Sequence, residues 1–155
     1  MHRLVFECNS EEDTAELATR LAGCLATGDT VLLDGPIGAG KTHFARSLIQ
    51  SILLEPEDVP SPTFTLVQTY DTRLGEVWHA DLYRLTSVDE LEELGLSEAM
   101  QDAICLIEWA DRLGQAVPDD ALTIVIETSD TPAHRRFSWD YSAPKWTKLK
   151  DIQCP

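Results

Sequence analysis

The residues best suited to chemistry in this chain are a lysine and a threonine that close a glycine-spaced octapeptide, Gly35-Pro36-Ile37-Gly38-Ala39-Gly40-Lys41-Thr42. Every fixed position fits G-x-x-x-x-G-K-[ST]. Glycines let such a loop wrap an anion with inward-pointing backbone N–H groups, at the positive end of the following helix. Lys41 is placed to reach the β- and γ-phosphates of a nucleoside triphosphate, and the Thr42 hydroxyl to ligate Mg²⁺. Lys41 is the only basic residue in the loop.

Phosphoryl chemistry also needs a carboxylate at a strand end near the loop to hold the metal. Two residues qualify. Glu108 directly follows the apolar run Ala103–Ile107, and Asp81 ends the run Val77–Asp81. On spacing alone either can equally be a solvated strand-end carboxylate. Ser61 and Thr63 lie in a segment braced by Pro56, Pro60 and Pro62, either as turn residues or as a switch that senses the γ-phosphate. Trp109 can be core, a wall of the nucleotide site or a partner contact. His79 reads as an ordinary strand residue without a metal role.

The elements that must position these groups are legible from periodicity. Thr30–Asp34, apolar and β-branched, reads as a buried strand entering the loop. Phe44, Ala45, Leu48, Ile49 and Ile52 recur at helical spacing after it. Upstream, Leu4–Glu7 reads as a first strand. Ser10 and Asp13 resemble a capping box that opens a helix with Leu17, Ala18, Leu21, Ala22 and Leu25 on one face. Downstream, the second half of Ser61–Tyr70 and Val77–Asp81 flank a turn at Asp71–Gly75, which suggests an inserted β-hairpin. Ser87 and Glu90 suggest another capping box, with Leu91 and Leu94 inward and Gly95 as the stop. Ala103–Ile107 has the continuous apolar character of a central parallel strand. Leu122–Glu127 and Arg136–Ser142 read as late strands.

Composition bounds the function classes. At 155 residues the chain is read as one domain, 1–155, with residues 143–155 as a C-terminal extension. No apolar run approaches the roughly 20 residues that span a bilayer, and Glu7 interrupts any leader, so a cytoplasmic location without membrane contact is expected. Cys8, Cys24, Cys105 and Cys154 lack zinc-site spacing; Cys24 and Cys105 sit in apolar runs and read as core. Acidic residues outnumber basic ones 27 to 12, a net charge of −15. That charge argues against tight tRNA binding by the isolated chain, because phosphate backbones are gripped by basic patches. Arg135, Arg136, Lys145, Lys148 and Lys150 concentrate near the end, where a solvated strand and extension is expected.

Four separated motifs, GPIGAGKT, SPTFTLVQTY, HADLYRL and AICLIEWADRL, occur in that order. Together they closely resemble the bacterial TsaE (YjeE) family over roughly residues 10–127. The resemblance implies a single α/β P-loop NTPase-like domain with a mixed, mostly parallel central sheet and the hairpin as its antiparallel part. It further implies an ATPase that uses Mg²⁺ and acts with TsaD-like and TsaB-like partners to make N6-threonylcarbamoyladenosine in tRNAs reading ANN codons. Carried onto this sequence, it assigns Gly38–Thr42 and His43 to the phosphates, and Thr42 and Glu108 to the metal. Ser61–Thr63 becomes the switch, Thr63 and Asp81 act with Lys41 and Glu108 in catalysis, and Trp109 lies near the site. Glu11, within Ser10–Thr14, is expected at the adenine.

A small-molecule kinase and a nucleotide-gated interaction module share the same loop and are the alternative readings. Kinases of this size usually carry an arginine-bearing lid, whereas Arg84 and Arg112 stand isolated in an acidic stretch.

Overall fold

The computed structural model describes all of residues 1–155. Seven strands form one sheet: β1 (His2–Cys8), β2 (Thr30–Asp34), β3 (Val67–Thr72), β4 (Gly75–Asp81), β5 (Ile104–Glu108), β6 (Leu122–Thr128) and β7 (Arg135–Tyr141). Their spatial order is β1-β7-β6-β2-β5-β4-β3. The four middle strands, β6, β2, β5 and β4, run parallel. Both wings are antiparallel: β3 against β4 on one side, β7 and β1 on the other. The hairpin is therefore not the sheet's only antiparallel part. Nor is it an appendage, because its second strand, β4, pairs in parallel with β5 along Val77–Asp81.

Helices cover both faces, as expected for a parallel sheet buried on each side. On one face lie α1 (Glu11–Ala22) and α2 (Lys41–Gln50), packed with alternate strand residues into the larger core. Ser10 caps α1 by accepting from the Asp13 N–H at 3.0 Å, while Asp13 accepts from the Asn9 N–H rather than from Ser10 itself. The opposite face is covered by α3 (Asp89–Leu94), α4 (Leu96–Asp102) and a 3-10 segment over Ala110–Ala116. Glu90 accepts from the Thr86 and Ser87 N–H groups, but the Ser87 hydroxyl makes no capping bond, so only half of the expected box forms. Gly95 ends α3 with φ 79°, and the chain re-enters a helix at once, which periodicity alone did not indicate.

Two expectations about burial are corrected. The late segment is not simply solvated: the 3-10 turn Pro144–Asp151 drives Trp146 and Leu149 fully into the larger core. Among the cysteines, Cys105 and Cys8 are buried, whereas Cys24 is only half-buried. An i, i+3 apolar spacing in the tail, weak by itself, acquires its partners only from the folded core.

Candidate functional site

Strand alternation decides which side chains meet at the loop. In β4 and β5 the residues facing α2 are Val77, His79 and Asp81, and Ile104, Leu106 and Glu108. The register sets Asp81 beside Glu108, so two carboxylates share the C-terminal edge of the sheet, where ligands of open α/β sheets bind. The phosphate loop leaves the end of the neighbouring β2 at the same edge.

The loop's backbone depends on glycine at two points in particular. Gly35 sits against β6, and a Cβ there would lie 2.7 Å from the Ile126 carbonyl oxygen. Gly40 takes φ 102° as the residue preceding α2, a conformation that side chains disfavour. From there α2 begins with Lys41, whose ammonium is folded back onto the loop. It donates to the Gly35 carbonyl and, at 3.3 Å, to the Pro36 carbonyl. The Trp109 indole covers it, with Nζ 4.1 Å from the ring centroid. Trp109 itself adopts left-handed backbone geometry, φ 58°, unusual for a bulky residue and placed at the strand end beside the site. Burial pushes the Lys41 ammonium below its usual value, partly countered by Glu108, Asp34 and Asp81.

Thr42 and Glu108, the two residues expected at a metal, are in direct contact. The Thr42 hydroxyl reaches the two Glu108 carboxylate oxygens at 2.9 and 3.1 Å. No three His, Cys, Asp or Glu side chains are arranged here or elsewhere so that they could together hold a metal ion. The donor set is thus hard oxygen and sparse, which fits Mg²⁺, an ion that keeps waters and phosphate oxygens in most of its coordination positions.

Thr63 lies on the same cavity wall. Its hydroxyl donates to Asp81 Oδ2 at 3.1 Å and contacts the Ser61 hydroxyl at 2.7 Å, while Asp81 Oδ1 accepts from the Tyr83 N–H. The loop carrying both hydroxyls is pinned to α2 through Arg46, which donates to the Val59 carbonyl. The cavity has a volume of about 410 Å³ and is lined by Gly38–His43, Thr63, Asp81, Glu108 and Trp109, among others.

Glu11 stands outside that cavity. It lines a second one, of about 320 Å³, with Thr14, Pro132 and Arg135, and the two cavities share Ala39, Gly40 and His43. His43 Nε2 lies 3.4 Å from the Glu11 carbonyl. The two cavities thus lie on either side of the start of α2, with Ala39, Gly40 and His43 between them.

Two residues at the site were not assigned to it from the sequence. His79 is fully buried, with Nε2 2.7 Å from Glu108 Oε2. Its position two residues before Asp81 in a strand, hence on the same face, was the available signal. Arg135 reaches back from β7 to donate to the Ala39 carbonyl at 2.8 Å. Nothing local in the sequence announces that contact, because Arg135 and Ala39 are 96 positions apart.

Comparison with known proteins identifies the family and the fold. Residues 8–137 match the family model described as "Threonylcarbamoyl adenosine biosynthesis protein TsaE". A protein from Rickettsia felis named tRNA threonylcarbamoyladenosine biosynthesis protein TsaE is 42% identical over 122 residues, covering 79% of this chain and 71% of the relative. One of the same name from Bacillus subtilis is 34% identical over 128 residues, covering 82% and 79%. The crystal structure of Bacillus subtilis YdiB superposes with a TM-score of 0.78 at 26% identity, over 97% of this chain and 93% of that one. The family model spans residues 8–137, and the relatives from Rickettsia felis and Bacillus subtilis are more than 30% identical over most of the chain, which therefore belongs to the TsaE family.

Proposed function

We propose that this protein binds and hydrolyses ATP in the cytoplasm as a subunit of the machinery that makes N6-threonylcarbamoyladenosine in tRNAs reading ANN codons. Family membership supports the pathway. The observation that carries the chemistry is the contact of Thr42 with Glu108 at the mouth of the glycine loop, beside a lysine that has no carboxylate partner.

In this reading the loop N–H groups and Lys41 hold the triphosphate. Lys41 exchanges the carbonyls of Gly35 and Pro36 for phosphate oxygens when ATP enters. Thr42 and Glu108 would hold Mg²⁺, which would supply neutralisation of the triphosphate's charge. Asp81 orients the attacking water, and the Thr63 hydroxyl, already on Asp81, follows the γ-phosphate. The second cavity, with Glu11 and Arg135, takes the ribose and base.

Turnover by the lone chain is slow, because no lysine or arginine besides Lys41 lines the phosphate cavity and rapid hydrolysis needs charge on the transferring group. TsaD-like and TsaB-like partners order the Ser61–Thr63 loop and raise the rate. With a net charge of −15, the protein engages tRNA through those partners rather than by its own surface.

Titration of wild type and Lys41→Ala with ATP·Mg²⁺ by calorimetry tests the reading. Loss of binding in the variant is expected. Unchanged affinity and unchanged phosphate release would overturn the assignment of the loop.

A further inference from the structure

His79 makes a contact that strand packing does not require. Its side chain is fully buried on the α2 face of the sheet, with Leu106 opposite it on β5 and Gln68 on β3. One ring nitrogen, Nε2, lies 2.7 Å from Glu108 Oε2. The other, Nδ1, is buried without any partner. With Glu108 ionised, as metal ligation requires, its oxygens only accept and Nε2 is the donor of this bond. Glu108 is thus the one group this imidazole is placed to serve.

Glu108 has few other supports. It is 2% exposed, and apart from His79 its carboxylate is met only by the Thr42 hydroxyl, shared between its two oxygens at 2.9 and 3.1 Å. A single hydroxyl proton cannot satisfy both oxygens of a buried carboxylate. Moreover, the Thr42 oxygen is the atom a metal would engage. Something independent of Thr42 must keep the carboxylate in place, and His79 is the side chain that does so. Its own position is rigid, because β4 is paired on both sides, with β3 and with β5.

We infer that His79 is a positioning residue for the metal half of the nucleotide site, holding Glu108 so that Thr42 and the carboxylate present a preformed oxygen pair to the Mg²⁺ of the bound nucleotide. The inference rests on the nucleotide-site reading above and extends it to a residue outside the cavity lining. Hydrogen-bond partners of ligating groups typically tune metal affinity by 10–100-fold.

The test uses the full chain, with ADP titrated calorimetrically in the presence and absence of Mg²⁺. Wild type, His79→Leu and His79→Gln are compared, with thermal melts run in parallel. Gln places an amide N–H near the position of imidazole Nε2, whereas Leu fills the space without a donor. His79→Leu is expected to lose about tenfold of the Mg²⁺-dependent gain in affinity while metal-free ADP binding stays within about twofold, and His79→Gln to recover most of the loss. If His79→Leu fails to fold, His79→Asn replaces it, since its amide stops near the Nδ1 position and does not reach Glu108. A full Mg²⁺ gain in the donor-less variant, or equal losses in it and in His79→Gln, would overturn the positioning role. Absence of ADP binding by the wild type would overturn the nucleotide-site reading, and this inference with it; normal metal-free binding throughout separates the two failures.

Discussion

Arg135 Nε–H donates to the Ala39 carbonyl across 2.8 Å and so ties β7, from the antiparallel wing of the sheet, to the phosphate loop. The same guanidinium also bonds the His134 carbonyl, which fixes its direction. The neighbouring His134 and Arg136 both engage Glu7 of β1, at 2.7 Å each. The wing is thereby made part of the site rather than a flank to it.

Removing that tie should loosen the loop without unfolding the protein. Arg135→Ala is expected to weaken nucleotide binding by about tenfold, in line with the loss of one charge-assisted hydrogen bond at ~1.5 kcal/mol. Calorimetry with ADP measures it. Unchanged affinity would mean that the loop keeps its shape from Gly35 and α2 alone.

Asp81 and Thr63 should separate hydrolysis from binding. Asp81→Ala is expected to lower phosphate release more than ATP affinity, because the carboxylate touches Thr63 and the Tyr83 N–H rather than Lys41 or Thr42. Thr63→Ala should blunt the acceleration produced by partner proteins. Steady-state phosphate release, with and without those partners, reads both. Rapid partner-independent turnover, insensitive to Thr63→Ala, would show the site to be self-sufficient.

Trp146 should matter to stability far beyond its place near the chain end. Its ring is fully buried, and Nε1 donates to the Asp120 carbonyl at 2.7 Å. Trp146→Ala is expected to cost about 3–5 kcal/mol, the range for truncating a large buried aromatic. Urea unfolding gives the value. A change below about 1 kcal/mol would mean that the 144–151 turn can detach without consequence for the core.

Alkaline stability should reflect the buried thiols. Burial pushes Cys8 up to about 11 and Cys105 up to about 12, from an ordinary 9.0. The fold therefore holds the thiol proton more tightly than the unfolded chain does. That contribution is complete below pH 9 and is lost as pH rises through 11 to 12. Urea midpoints should fall beyond pH 9, with a shallower fall in Cys105→Ala despite its lower overall stability. An identical pH slope in the variant would remove Cys105 from the explanation.

By itself the sequence determined the loop, the strand before it and the helix after it, and it offered Asp81 and Glu108 as candidate strand-end carboxylates while leaving their approach to the lysine and threonine open. These are local matters: glycine spacing, period-2 and period-3.6 patterns, and charge at the end of an apolar run act within a few residues. Gly35–Thr42, Asp81 and Glu108 are legible on that basis. Only the tertiary structure decided that β7 and β1 form a second antiparallel wing, that Arg135 comes to rest on Ala39, that His79 serves Glu108, and that Trp146 belongs to the core. Each of these joins residues far apart in the chain, by register across strands or by the closing of one surface on another. A side chain's local sequence specifies the face it points to, not the group that the fold will bring to meet it.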